Sequence, residues 1–204
     1  MSNEDALIEN LLAGDEKAFL ELVTSMHGRM TGLAMTFVRD RAQAEEVVQD
    51  TWLAVLKGLP KFERRSPLKS WIYRILVNRS KTRGVRESRS SSFSDLGDDE
   101  GSVDPSRFNA RGRWNEPPPH WQDDTPEAAL ERARLKVRLA EAIEALPENQ
   151  RAVLVLRDVE GLETQEVCNI LEVSETNQRV LLHRARAALY KIMEAEVSAE
   201  VKSC

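Results

Sequence analysis

Apolar residues recur along this chain at intervals of three and four, the spacing that gathers them on one side of an α-helix. Phe19, Leu22, Val23, Met26 and Met30 form the first such series, and Asp15, just after Gly14, is placed to cap it. Asp40 and Gln43 have capping-box spacing for a second helix, which runs to about Gly58 and is expected to bury Val48, Val55, Leu56 and Leu59. Ser66-Pro67 reads as the start of a third, serine capping the free amides and proline suiting the first helical position. On that helix Leu68, Ile72, Ile75 and Leu76 share one face, while Trp71, Arg74, Asn78 and Lys81 fall on another.

The helical pattern stops near Gly84. Residues 88–94 are serine-rich, 95–104 acidic, and 107–121 carry Arg, Gly and a Pro-Pro-Pro run. About 40 residues without a pattern exceed what a loop inside a compact domain usually spans. The stretch is therefore expected to be a long flexible linker, with Phe108, Trp114 and Trp121 as unusual passengers. Helices resume at Thr125-Pro126-Glu127, with Leu135, Leu139, Ala142 and Leu146 as the apolar series. Pro147 opens another helix through about Asp158, with Gly161 placed to stop it. A short helix with Val167, Cys168 and Leu171 follows. The last helix is capped by Ser174, with Gln178, Leu182, Ala185, Leu189 and Ile192 inward and Thr176, Asn177, Arg179, Val180, His183 and Arg184 outward. Two short helices joined by a tight turn, the second basic on its outer face, have the form of a helix-turn-helix.

The expected fold is thus all-α: two small helical domains, an N-terminal bundle over 1–84 and a C-terminal helix-turn-helix over 125–195. A linker over 85–124 joins them and a tail over 196–204 ends the chain.

Charge sharpens this picture. The whole chain carries −5, yet Lys57 to Arg89 holds eleven Lys or Arg against two Glu, +9 in 33 residues. Asp95 to Glu127 balances it with nine Asp or Glu against three Arg, −6. In the basic stretch Phe62, Arg64, Arg65 and Ser66 make a short loop before the helix that bears Trp71, Arg74, Asn78 and Lys81. Cations hold phosphates, aromatic rings stack on unpaired bases, and an amide can read a base edge. The combination points to nucleic acid, single strands in particular.

Other chemistry finds little support. Cys168 and Cys204 belong to no C-x-x-C pair, and His27, His120 and His183 are scattered. Neither a metal site nor a disulfide framework is expected, and no cofactor. Glu46 and Asp50 lack the further ligands a cation would need. The polar, acidic start is unlike a signal peptide, and the apolar runs are too short to span a bilayer, so a cytoplasmic protein without membrane insertion is expected.

In the order of its parts the chain resembles an extracytoplasmic-function (ECF) sigma factor, the small two-domain type of the sigma-70 family. Three segments carry the likeness: EEVVQDTWLAVLKGLPKF resembles the polymerase-binding helix, FERRSPLKSWIYRILVNRSKTR the promoter-melting surface, and ALPENQRAVLVLRDVEGLETQEVCNILEVSETNQRVLLHRARAAL the upstream-promoter reader. The resemblance implies an alternative sigma factor, not an enzyme, with core RNA polymerase, promoter DNA and an anti-sigma protein as partners. By position, Asp50, Trp52 and Leu53 would meet the clamp helices of the largest polymerase subunit. Phe62 and the loop from Glu63 to Leu68 would surround a base flipped from the downstream element, supported by Trp71, Arg74 and Asn78. Arg179, His183, Arg184 and Arg186 would face the upstream element.

Three positions depart from the family pattern. Glu163 stands where a serine or threonine cap is usual, Gln178 replaces a small apolar inner residue and needs a hydrogen-bond partner, and Val180 lies outward where a polar residue is common. A stand-alone helix-turn-helix regulator is the rival reading; it leaves the surface from Trp71 to Lys81 without a task.

Overall fold

The computed structural model describes residues 3–87 and 126–201, and among these residues there is no strand. The elements are α1 (Asn3–Leu12), α2 (Glu16–Ala34), α3 (Arg41–Gly58), a single 3₁₀ turn (Leu59–Lys61), α4 (Leu68–Glu87), α5 (Pro126–Glu144), α6 (Glu148–Leu154), a π-turn (Val155–Val159), α7 (Thr164–Leu171) and α8 (Glu175–Val201). The expected linker, with Phe108, Trp114 and Trp121, lies outside the described residues. Helix α8 runs on to Val201, into the stretch expected as a tail.

The described residues form two compact units, one drawn from residues 3–87 and 152–179, the other from 126–151 and 180–201. In the first, α2 and α3 start where their caps require. Asp15 accepts from the amides of Lys17 and Ala18 at 2.9 and 3.2 Å, behind Gly14 at φ +79°. Asp40 accepts from the Gln43 amide at 2.9 Å, and Gln43 reaches back to the amide of Arg39. Met26, Met30 and Leu33 from α2, Val47, Val48, Trp52 and Val55 from α3, and Leu68, Ile72 and Leu76 from α4 make the core. Leu56, expected inside, is instead exposed, because the inward face of α3 is completed by Val47, Thr51 and Trp52.

Helix α4 is buried on more than the face its apolar spacing marks. Ser70, Tyr73, Val77 and Ser80 are also inside, since α7 packs on α4 in addition to α2 and α3. Gly84 permits the close passage of α4 by the turn that follows α2: a Cβ there would stand 2.4 Å from the Phe37 carbonyl oxygen.

In the stretch that leads to α7, the Glu160 amide donates to Val155 O at 2.9 Å, a π-type bond, and Gly161 takes φ +70°. This turn places the Glu160 carboxylate wholly out of solvent. Its partners are Lys69 Nζ at 3.0 Å and Arg29 Nη1 at 3.5 Å. The Glu163 start of α7 is held by Glu166, whose carboxylate accepts the Glu163 amide at 2.7 Å and also the Ser70 hydroxyl. The second unit holds α5, α6 as far as Arg151, and α8 from Val180 onward, with Ala142, Leu146, Leu181, Leu182, Ala185 and Ala187 buried.

Candidate nucleic-acid interface

The basic loop at 62–67 begins where the 3₁₀ turn ends, and it turns through Arg64 at φ +55°. A left-handed backbone is costly for a residue with a Cβ, so this loop is held in shape by its surroundings. At its root Phe62 packs on Trp71 with ring centroids 4.8 Å apart. Gly58 leaves room for that pair, because a Cβ there would come within 3.1 Å of the indole. Trp71 is therefore half-buried, with one side of its ring taken by Phe62.

Arg74 and Asn78 are exposed on α4 one turn apart, as their helical spacing demands. Lys81 does not share that freedom: it is half-buried, and its Nζ donates to the Leu171 carbonyl at 3.1 Å, at the end of α7. Of the four residues that the spacing sets on one face, two are open to solvent and two take part in packing. Arg64, Arg65 and Ser66 are exposed in the loop; Arg64 pairs with Glu9 and Asp5 of α1, and Arg65 with Glu63 at 2.6 Å. The Leu68 amide, at the start of α4, donates to the Glu4 carboxylate; the expected Ser66 cap gives way to a side chain from α1.

On α3 the three expected polymerase contacts separate. Asp50 and Leu53 are exposed, but Trp52 is only 7% exposed and meets Phe19 edge-on with centroids 5.8 Å apart. The ring belongs to the core, so any part it has in docking is to fix the pitch of α3. Leu53 and Leu56 are 55% and 47% exposed, which gives this helix an apolar surface beside Asp50. The α3 carboxylates also meet α4: Asp50 lies 3.8 Å from Arg79, and Glu46 takes both terminal nitrogens of Arg83 at 2.8 and 2.6 Å. Four-residue spacing on each helix produces the two pairs, a register that single-helix reasoning on Glu46 and Asp50 missed.

On α8, Ser174 caps the helix by accepting the Asn177 amide at 3.2 Å. Thr176 and Arg179 are exposed, the latter 3.5 Å from Glu175, and Val180, His183, Arg184 and Arg186 are half-buried. Asn177 is half-buried too, its carboxamide oxygen turned out of solvent and without a hydrogen-bond partner. Gln178 is 1% exposed, and its side-chain nitrogen likewise finds no acceptor. Among the described residues no group of three or more His, Cys, Asp or Glu could hold a metal ion, and no helix is long and apolar enough to cross a membrane.

Comparison with known proteins finds matches to both parts of the chain. Residues 22–90 match sigma-70 region 2, and residues 136–189 match sigma-70 region 4. RNA polymerase sigma-H factor of Pseudomonas aeruginosa is 27% identical over 191 residues, covering 94% of each chain. The ECF RNA polymerase sigma-E factor of Escherichia coli K12 is also 27% identical, over 91% of this chain and 92% of its own. Two solved structures share the fold. CnrH, in complex with the cytosolic domain of CnrY, aligns over 95% of this chain and 99% of its own, with TM-score 0.56 and 22% identity. The sigma factor RpoE, in complex with the anti-sigma factor NepR from Bartonella quintana, aligns over 87% and 98%, with TM-score 0.52 and 19% identity. The chain belongs to the ECF group of the sigma-70 family.

Proposed function

We infer that this protein is an alternative sigma factor, a transcription initiation factor and not an enzyme, which brings core RNA polymerase to a chosen set of promoters. The observation that carries this reading is that one chain holds both sigma-70 regions in order, at residues 22–90 and 136–189. Opening a duplex costs a few kcal/mol per unstacked step, beyond what so small a surface supplies alone, so the protein acts with polymerase in the cell interior.

Within that reading the side chains divide the work. Asp50 and Leu53, with Leu56 beside them, offer polymerase a carboxylate and an apolar patch on exposed positions of one helix, a combination that calls for a basic and apolar counterpart on the clamp helices. Phe62, Arg64, Arg65 and Ser66 surround an unstacked base of the downstream element. Arg74 and Asn78 hold the opened strand beside it, and Trp71 supports the loop from behind. Thr176, Arg179, Val180, His183, Arg184 and Arg186 meet the upstream duplex from α8, the arginines on phosphate or guanine and Val180 against a thymine methyl. Residues 1–84 would serve polymerase binding and melting, and 125–195 upstream recognition. An anti-sigma protein is a further partner, as NepR is for the RpoE of Bartonella quintana.

The test is to add the purified chain to core polymerase and sequence the transcript starts on genomic DNA. New starts that share an upstream and a downstream motif are expected. A sequence-specific footprint by the chain alone, with no new starts in the presence of polymerase, would favour a stand-alone regulator instead.

A further inference from the structure

Helix α1 carries Glu4, Asp5 and Glu9 and no cation, −3 in ten residues. It is anchored by Ile8 and Leu11, both buried. All three carboxylates point at the loop before α4. Glu9 and Asp5 grip the Arg64 guanidinium, Asp5 at 3.6 Å, and Glu4 accepts the Leu68 amide at the start of α4. Between helix and loop lies a recess of about 310 Å³, lined on one side by Glu4, Asp5 and Ile8 and on the other by Phe62, Arg64 and Ser66.

A guanidinium and the free amide at a helix start are the groups that bind a phosphate oxygen. Here each already holds a carboxylate. The grip falls on Arg64, the residue whose backbone is left-handed, so the contact that occupies the cation also fixes the loop. We propose that α1 is a built-in competitor for nucleic acid: its carboxylates occupy the phosphate-binding donors of the promoter loop, and an opened strand must displace them. This rests on the reading of the 62–67 loop as a promoter surface. Exposed ion pairs are weak enough for such exchange, each being worth a few-fold in an equilibrium constant. Duplex or unrelated nucleic acid gains little from a loop so covered, whereas a strand that also fills the recess gains enough to evict α1.

The experiment uses the full chain bound to core polymerase and a fluorescent single-stranded oligonucleotide of its downstream element. The variants are Asp5→Asn with Glu9→Gln, Glu4→Gln alone, Arg64→Ala, and the first pair combined with Arg64→Ala. Neutralising Asp5 and Glu9 is expected to tighten binding about two- to ten-fold. Glu4→Gln is expected to act in the same direction. The gain should vanish in the Arg64→Ala background, because the freed guanidinium is its cause. The same charge change at Glu16 and Glu21, exposed on α2, serves as control and is expected to give less.

Weaker binding by the Asp5, Glu9 and Glu4 variants would overturn the proposal and make α1 a brace for the loop. A gain that persists without Arg64, or is matched by the control, would reduce it to a net-charge effect and also overturn it. If Arg64→Ala alone leaves binding unchanged, the loop itself is not a nucleic-acid surface, and the prior reading fails instead.

Discussion

Single side chains show how differently the same residue type is used here. Glu160 is a carboxylate wholly out of solvent, held by Lys69 and Arg29, with the Tyr73 ring under Lys69. Burial, and the Glu160 carboxylate beside it, push the Tyr73 hydroxyl far above its ordinary pKa, so Tyr73 stays neutral at any working pH. Removing one partner of a buried charge leaves the other poorly compensated. Lys69→Met is therefore expected to lower stability by about 2 kcal/mol, seen as a lower midpoint in urea, and an unchanged midpoint would mean Arg29 suffices. Cys168 is the second case. Burial, with Glu175 nearby, raises its pKa. The folded chain then keeps a proton that an unfolded thiol, titrating at about 8.5, has lost. The stability from this group is complete below that pH and declines as pH rises above it. In a Cys204→Ser variant, the native protein should react slowly with iodoacetamide at pH 8 and reach the rate of a free thiol only in urea. Rapid native labelling would show that α7 opens far more often than its packing implies.

At the scale of the helix, the limits of reading faces from spacing become physical. The caps at Asp15, Asp40 and Ser174 were legible because each needs only a side-chain oxygen and an amide three residues on. The exposed positions of Arg74 and Asn78 were legible as well, since both lie off the apolar stripe of α4, whereas Asp50 and Leu53 were singled out by the family resemblance and not by spacing. Trp52, Leu56 and Lys81 were not legible. A period assigns one buried face per helix, whereas α4 meets α2 and α3 on one side and α7 on another. The second contact consumes Lys81 and hides Tyr73, and no property of the α4 sequence alone announces it. On α3, Trp52 and Leu56 compete for the edge of the buried sector, and the ring facing Phe19 wins it. The π-turn that brings Glu160 inside is equally silent, depending on one extra residue between two ordinary helical bonds. Glycine at 84 is the clearest contribution of one position to a whole element. A methyl there would meet the Phe37 carbonyl oxygen, a backbone atom that cannot rotate away. Gly84→Ala removes helical disadvantage worth about 1 kcal/mol yet should destabilise the protein on balance, with a lower thermal midpoint. A higher midpoint would mean that α4 can shift away from Phe37 at little cost.

For the molecule as a whole, the question is whether polymerase binding and strand opening use separate surfaces of the region 2 match. Asp50 and Leu53 project from α3, and Arg74 and Asn78 from α4, all exposed. Trp52 is a poor probe, since its loss would empty core volume beside Phe19 and lower stability by several kcal/mol. Asp50 alone is ambiguous as well, because Arg79 lies 3.8 Å away and ties it to α4. Leu53 has neither problem: its side chain is over half exposed, and cutting it to alanine removes apolar surface from the outside only. Leu53→Ala and Asp50→Ala are both expected to weaken association with core polymerase, while Arg79→Ala, which breaks only the link to α4, should not. Asn78→Ala should leave association near normal and reduce the open complex on duplex promoter. Permanganate footprinting on a template with its downstream element already unpaired separates the steps, because the cost of opening has been removed. There Asn78→Ala should regain much of its signal, and Leu53→Ala should stay low in proportion to the polymerase it fails to bind. Equal rescue of both would mean that α3 and α4 serve one composite surface. Loss of polymerase by Asn78→Ala would place docking on the helix assigned here to DNA.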